Sequence, residues 1–391
     1  MKSRKLLWLG LLVAATVIAL IVQPVTIFAQ EFLDLDTVTD NLMWQRTQNI
    51  FFMYMLVAFL MLFVKRMEWI VCLATMLTLC ISFPVYAALK MAFAGSFVNM
   101  AFALPWTIEF LAMGIVMSIT LVIAIGVCLG QVKHGAYVIM AIIFPVAFLL
   151  MEWWMFEQLV GVLDAGGSIV VHVAAWAFGF GMIMTIRSKS AMTAPMDTTT
   201  HSVSFVWLAS MLLFILWPSF VTVLLTPGQV VDVAIVTYMS GFGAAVAAYA
   251  VNWVIDKKVD PLIYTYAMLC GMVAIGSTCD LVGPWAGLII GAAAGAISVL
   301  CFKYWQPFTE KAFGVKDMMG VQNLHGVGGI FGALLCAVLF AGVVQVWALL
   351  GAMVIMIVLG GVTGLLCRSR PALDVDDSEV FAVEPGRAEP Y

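Results

Sequence analysis

Apolar runs of about twenty residues, separated by short polar breaks, recur along the whole chain. They fall near 6–29, 47–64, 68–90, 104–130, 136–158, 165–186, 203–225, 229–254, 261–279, 285–302, 319–342 and 345–367. A helix rises about 1.5 Å per residue, so each run can cross about 30 Å of hydrocarbon with some tilt or shortening. In lipid every backbone polar group needs a partner inside the protein. Alternating segments of about ten residues, the mark of a membrane barrel, do not occur. The pattern therefore predicts an all-α polytopic membrane protein with 11–12 transmembrane helices.

The charged breaks test this map. With the N-terminus placed in the cytoplasm, every second loop is cytoplasmic. Those loops and the two ends then hold 16 of the 18 basic residues, and only Arg46 and Lys90 fall outside. This bias predicts a multi-pass protein of the plasma or inner membrane with both termini cytoplasmic, provided the first helix is retained. Residues 1–46 read as a signal-anchor or first helix plus an outer loop. The apolar core at 6–22 exceeds the roughly 7–15 residues of a cleaved signal, and 26–29 is a poor cleavage site, so a retained helix is expected.

Composition narrows the class. Apolar residues make up 64% and charged residues 10%, whereas soluble domains have roughly half and about a quarter. A soluble enzyme and a disordered chain are both excluded on that ground. The 18 Lys+Arg against 22 Asp+Glu leave no basic excess, so no nucleic-acid partner is expected. The eight cysteines form no CxxC pair and read as small apolar filler; no metal or cofactor is expected. The segment 371–391 is acidic and polar, and reads as a cytoplasmic tail with little structure of its own.

Two of the four histidines, His172 and His325, lie inside apolar runs, where an ionisable residue marks function by default. Each follows an aspartate by eight residues: Asp164 precedes His172, and Asp317 precedes His325. Eight helical residues rise about 12 Å, so both imidazoles approach the midplane. On the map, one run crosses inward and the other outward, five spans apart. That is the signature of two inverted five-helix repeats, 47–186 and 203–342, with 343–370 as a last helix outside them. The two aspartates read as helix caps, or as acidic groups that attract cations at the pore mouths. The run Gly287, Gly291, Gly295 is a small-xxx-small face that suits close helix packing.

These residues resemble the ammonium transporter/Rhesus (Amt/Rh) family, and the Rh branch more closely. The resemblance covers roughly 45–370. It rests on 164–172 (DAGGSIVVH) with 323–326 (NLHG), and less specifically on 216–220 (LWPSF) and 276–279 (GSTC). It implies that His172 and His325 are the twin histidines lining a narrow pore, and that Phe220 is the second ring of a stacked gate at the outer mouth. Asp164 and Asp317 match the aspartates of the half-repeats; Asn323 stands in the second motif. Glu152 resembles the acidic residue near the Rh outer vestibule, after a one-residue shift. The first gate ring falls on Val116, a departure that leaves the gate half missing or wider, unless Phe110 takes its place. The segment 376–381 only loosely resembles an Rh cytoplasmic tail.

What the resemblance implies is an ammonia/ammonium channel or transporter and not an enzyme, a homotrimer in the lipid bilayer. The alternatives are an ammonium-sensing membrane protein with little flux, or a channel for another small neutral solute such as carbon dioxide.

Overall fold

The computed structural model describes residues 38–61, 68–96, 106–193, 198–368 and 377–382. The predicted first span at 6–29 lies outside them. The chain divides into two compact units, Met1–Leu42 and Met43–Tyr391. Of the first, the described residues 38–42 form the opening of helix α1 (Val38–Leu60).

The second unit holds the rest of α1 and all later helices. These are α2 (Glu68–Phe93), α3 (Ile108–Cys128), α4 (His134–Glu152), α5 (Ala174–Ile186), the short α6 (Lys189–Thr193), α7 (Thr200–Thr222), α8 (Val230–Asp256), α9 (Pro261–Ala274), α10 (Pro284–Leu300), α11 (Gln306–Phe313), α12 (Val327–Cys336) and α13 (Val343–Cys367). No strand occurs among the described residues. Nine of their helical segments are long and apolar enough to cross a membrane, and Pro261–Ser277 is a shorter apolar one. Every apolar run from 47 onward is thus largely helical over its described residues. Helix α1 begins well before its run, because hydropathy marks where a chain meets hydrocarbon and not where it starts to coil.

Local chemistry sets the helix starts. Thr107 accepts a hydrogen bond from the Phe110 N–H ahead of α3. Thr199 and Ser202 form a reciprocal capping box at α7. Asp260 accepts from Leu262 N and Ile263 N, with Pro261 at the first helical position of α9.

Helix α3 is buried on nearly every side, as expected of an apolar helix with no polar face. Around it the helices pack at backbone distance. A Cβ on Gly291 of α10 would stand 1.8 Å from the Ser240 carbonyl oxygen of α8, so that face tolerates only glycine. The same device joins α13 to α5, where a Cβ on Gly360 would meet the Phe178 carbonyl at 2.1 Å. Without a hydrophobic drive between helices in lipid, such close contact supplies the association energy.

The two basic residues that broke the charge pattern are both buried. Lys90 pairs with Glu152 at 3.0 Å, and both side chains are almost fully enclosed. Arg46 donates to the backbone carbonyls of Thr222 and Leu225. Their cost in the membrane is offset by these partners, so neither bears on the charge bias of the loops.

The tail departs from expectation. Asp377 accepts hydrogen bonds from Trp69 N and Ile70 N, capping the start of α2 from a distant part of the chain. Phe381 meets the Trp69 ring at 6.0 Å, and Val380 packs on the core. An acidic side chain has a ready partner in the bare N–H groups of a helix start, and composition alone does not reveal it.

Candidate functional site

The two histidines meet. His172 Nδ1 and His325 Nδ1 lie 3.0 Å apart, with ring centroids 5.0 Å apart and planes inclined by 26°. Both rings are buried, His172 at 1% and His325 at 8% exposure.

Neither sits on a regular α-helix. His172 lies in a π-helical segment, Ser168–Val173, that leads into α5. His325 lies in another, Gln322–Gly326, that leads into α12. His172 N–H reaches back to the Gly167 carbonyl at 3.2 Å, the wider π spacing. Such bulges concentrate at functional sites. The expected plain helix from aspartate to histidine is therefore corrected. Each aspartate stands several residues before its segment, across a turn that uses a glycine at positive φ, Gly167 at +79° and Gly320 at +64°.

Both aspartates hold the segment starts. Asp164 accepts from Ile169 N at 3.0 Å and Val170 N at 2.8 Å. Asp317 accepts from Val321 N at 3.2 Å and Gln322 N at 2.7 Å. Capping is thus the contact both carboxylates make, each at the start of its own histidine segment.

The two caps differ in what surrounds them. Asp164 also accepts the Ser277 hydroxyl at 2.5 Å. Ser168 Oγ donates to the Val273 carbonyl at 2.7 Å and accepts from Ser277 N at 2.9 Å. Gly166 N donates to the Gly276 carbonyl at 2.7 Å, and a Cβ on Gly166 would meet Gly276 Cα at 2.8 Å. The motif at 276–279 is the mate of the motif at 164–168. At the other cap, Gln306 of α11 donates to the Asp317 carbonyl at 3.0 Å and accepts from Asn323 Nδ2 at 2.5 Å.

Around the imidazoles the lining is apolar. Two cavities adjoin, sharing Val57, Leu60, Ile123, Leu324 and His325. One continues past His172, Trp217 and Phe220. The other continues past Met319, Val321 and Tyr266. The Trp217 ring stacks on His172 at 5.6 Å, and Phe220 lies 5.8 Å from it. His172 Nε2 and Trp217 Nε1 are buried with no hydrogen-bond partner in the protein. A buried polar atom left so costs about 1–3 kcal/mol, which a hydrogen-bonding guest would recover.

Other expected residues lie apart. Val116 is buried on α3 but does not line either cavity. Phe110 packs against Phe83, Tyr86 and Trp106 and is not stacked on Phe220. Glu152 is enclosed by Lys90 and by the Tyr86 hydroxyl, which donates to it at 2.9 Å. Sequence reasoning missed Trp217 as a stacking partner and Ser277 as a cap partner; both stood inside motifs already singled out.

Comparison with known proteins agrees with this geometry. Residues 9–369 match the Ammonium Transporter Family. Ammonium transporter Rh type A of Mus musculus is 32% identical over 262 residues, covering 64% of this chain and 60% of that one. Rh type C of Oryctolagus cuniculus is 31% identical over 222 residues, covering 55% and 47%. The match thus spans less than two thirds of either relative. Among solved structures, Rh50 of Nitrosomonas europaea, of the Rhesus family of channels, superposes with a TM-score of 0.84 at 28% identity, covering 89% of this chain and 93% of that one. Mep2 of Saccharomyces cerevisiae shares the fold, with a TM-score of 0.71 at 14% identity and coverage of 91% and 93%. The histidine motifs, the family match over residues 9–369 and the nearness to Rh relatives lead to one conclusion: this chain belongs to the ammonium transporter family, in its Rh branch.

Proposed function

We propose that the protein conducts ammonia, delivered to it as ammonium, through the apolar passage that His172 and His325 interrupt. The observation that carries this is the 3.0 Å Nδ1–Nδ1 contact inside an apolar lining. An ammonium ion is costly to move through such surroundings, whereas neutral ammonia needs only a hydrogen-bond partner midway.

The imidazole pair supplies that partner. With both rings neutral, one Nδ1 must carry the hydrogen and the other must accept it. The two Nε2 atoms are then unlike: one is bare and the other bears hydrogen. The passage so offers ammonia one acceptor and one donor. The same arrangement can relay a proton. A proton taken up at the bare Nε2 lets that ring pass its Nδ1 hydrogen across, and the second ring releases its own from Nε2.

On this reading Phe220 and Trp217 cover the approach to His172, and the charge bias of the loops makes that end the outer one. Asp164 and Asp317 act by shaping the histidine segments, and Asn323 by tying its own segment to α11. The matching caps support two inverted halves. The family resemblance supports a homotrimer in a cell membrane, and the charge bias of the loops supports cytoplasmic termini with a retained first helix. The test is direct: proteoliposomes given an inward ammonium gradient should change internal pH faster than protein-free vesicles, and equal rates would refute conduction.

A further inference from the structure

Helix α1 touches the candidate gate in a way that the conduction reading does not use. Arg46 and Asn49, one turn apart, reach the last turn of α7 on either side of Phe220. Asn49 Nδ2 donates to Ser219 Oγ at 2.9 Å. Arg46 Nη1 donates to the Thr222 carbonyl at 2.5 Å and lies 3.4 Å from that of Leu225. Farther along, the same face of α1 carries Met53, Val57 and Leu60, which line the passage.

The end of α7 departs from regular helix bonding. Pro218 has no N–H, so α7 loses one rung there. Val223 N–H reaches the Phe220 carbonyl only at 3.5 Å. The Thr222 hydroxyl turns back to the Pro218 carbonyl at 2.6 Å. A helix end leaves carbonyls without intrahelical donors, and it favours a cation through the helix dipole. A buried guanidinium in turn needs acceptors, and charge-assisted bonds to carbonyls are among the stronger ones. The Thr222 carbonyl also accepts from Leu225 N at 3.0 Å, so the guanidinium takes its second lone pair.

We infer that Arg46, assisted by Asn49, is a positioning residue for the Phe220 gate and so sets the size selectivity of the passage. The inference rests on the reading of Phe220 given above. It also accounts for a basic residue that lies outside the charge pattern of the loops.

The experiment measures the ratio of methylammonium to ammonium flux in proteoliposomes, for the full chain and its variants. Phe220→Ala is scored first: an unchanged ratio there would sink the gate reading, and this inference with it. Given a raised ratio, Arg46→Met should raise it too, by severalfold, and Arg46→Lys should recover part of the loss. In the Phe220→Ala background Arg46→Met should add nothing further. Asn49→Ala, a milder change should Arg46→Met not assemble, should move the ratio the same way by less. The inference is overturned by unaltered selectivity in properly assembled α1 variants. An Arg46→Met or Asn49→Ala effect equal in both backgrounds would also overturn it, because it would then act independently of Phe220.

Discussion

Asp164 and Ser277, 113 positions apart in the chain, share a hydrogen bond of 2.5 Å. It joins the segment that carries His172 to the short stretch just after α9, from which α10 and α11 lead on to the His325 segment. With the Ser168 bonds to Val273 and Ser277 beside it, the contact fixes where the His172 segment starts. The position of one imidazole against the other thus depends on a lock outside the passage itself.

Removing the carboxylate should be costly. Asp164→Ala leaves the Ile169 and Val170 N–H groups and the Ser277 hydroxyl without their acceptor, for a loss of about 3–9 kcal/mol at about 1–3 per unsatisfied group, less what relaxation recovers. Asp164→Asn keeps one acceptor oxygen and should fall between Ala and the parent. Thermal unfolding in detergent gives the order; equal losses for Ala and Asn would show that acceptance at the cap is not the main role. An Asn variant that assembles normally but does not conduct would show that the charge itself matters.

Phe220→Ala should raise permeability to methylammonium relative to ammonia, since steric exclusion at a constriction is one source of selectivity. Val116 lies outside the cavity lining, so of the rings that cover the approach only Trp217 would remain beside His172. Paired uptake measurements decide it, and an unmoved ratio would make Phe220 an ordinary packing residue.

The Lys90–Glu152 pair should behave as a buried ion pair. Lys90→Met alone strands the Glu152 carboxylate, and such losses run to about 3–5 kcal/mol. The double change Lys90→Met/Glu152→Gln should recover most of that, because no charge is left unpaired. Detergent melting curves for both variants test this, and a double variant as unstable as the single one would contradict it.

Asp377→Ala should loosen the tail and the first turn of α2. The expected loss is that of a cap, about 0.5–2 kcal/mol. Hydrogen exchange at the Trp69 and Ile70 amides should speed up, with little change at the center of α3. Unchanged protection at both amides would show that the cap adds nothing in solution.

Much of this was legible in the sequence. Runs of apolar residues locate helices in lipid because no other open structure satisfies the backbone there. The mirrored aspartate and histidine spacings pointed at the two residues that meet. What stayed hidden depends on third dimensions of contact. The two π-helical segments, and the close approach of Gly166 to Gly276 beside the first of them, involve contacts that spacing within one run cannot show. Ser277 looked like part of a weak motif until its hydroxyl was placed against Asp164. Arg46 and Lys90 looked like exceptions to a topological rule, and became understandable only when the Thr222 carbonyl and Glu152 were found beside them. Asp377 lay in a stretch whose composition suggests no structure, yet a bare helix start elsewhere in the chain gives it a partner.

The most direct test of the conduction claim is ammonium-driven pH change in proteoliposomes holding the double variant His172→Ala/His325→Ala. Insertion and assembly are confirmed first by size exclusion of the extracted protein. The two imidazoles supply the donor and acceptor in the middle of an otherwise apolar passage, so the expected result is loss of ammonia conduction, or a changed ratio of ammonia to proton movement, in a protein that still assembles. Ammonia flux and proton coupling equal to those of the parent would contradict the account.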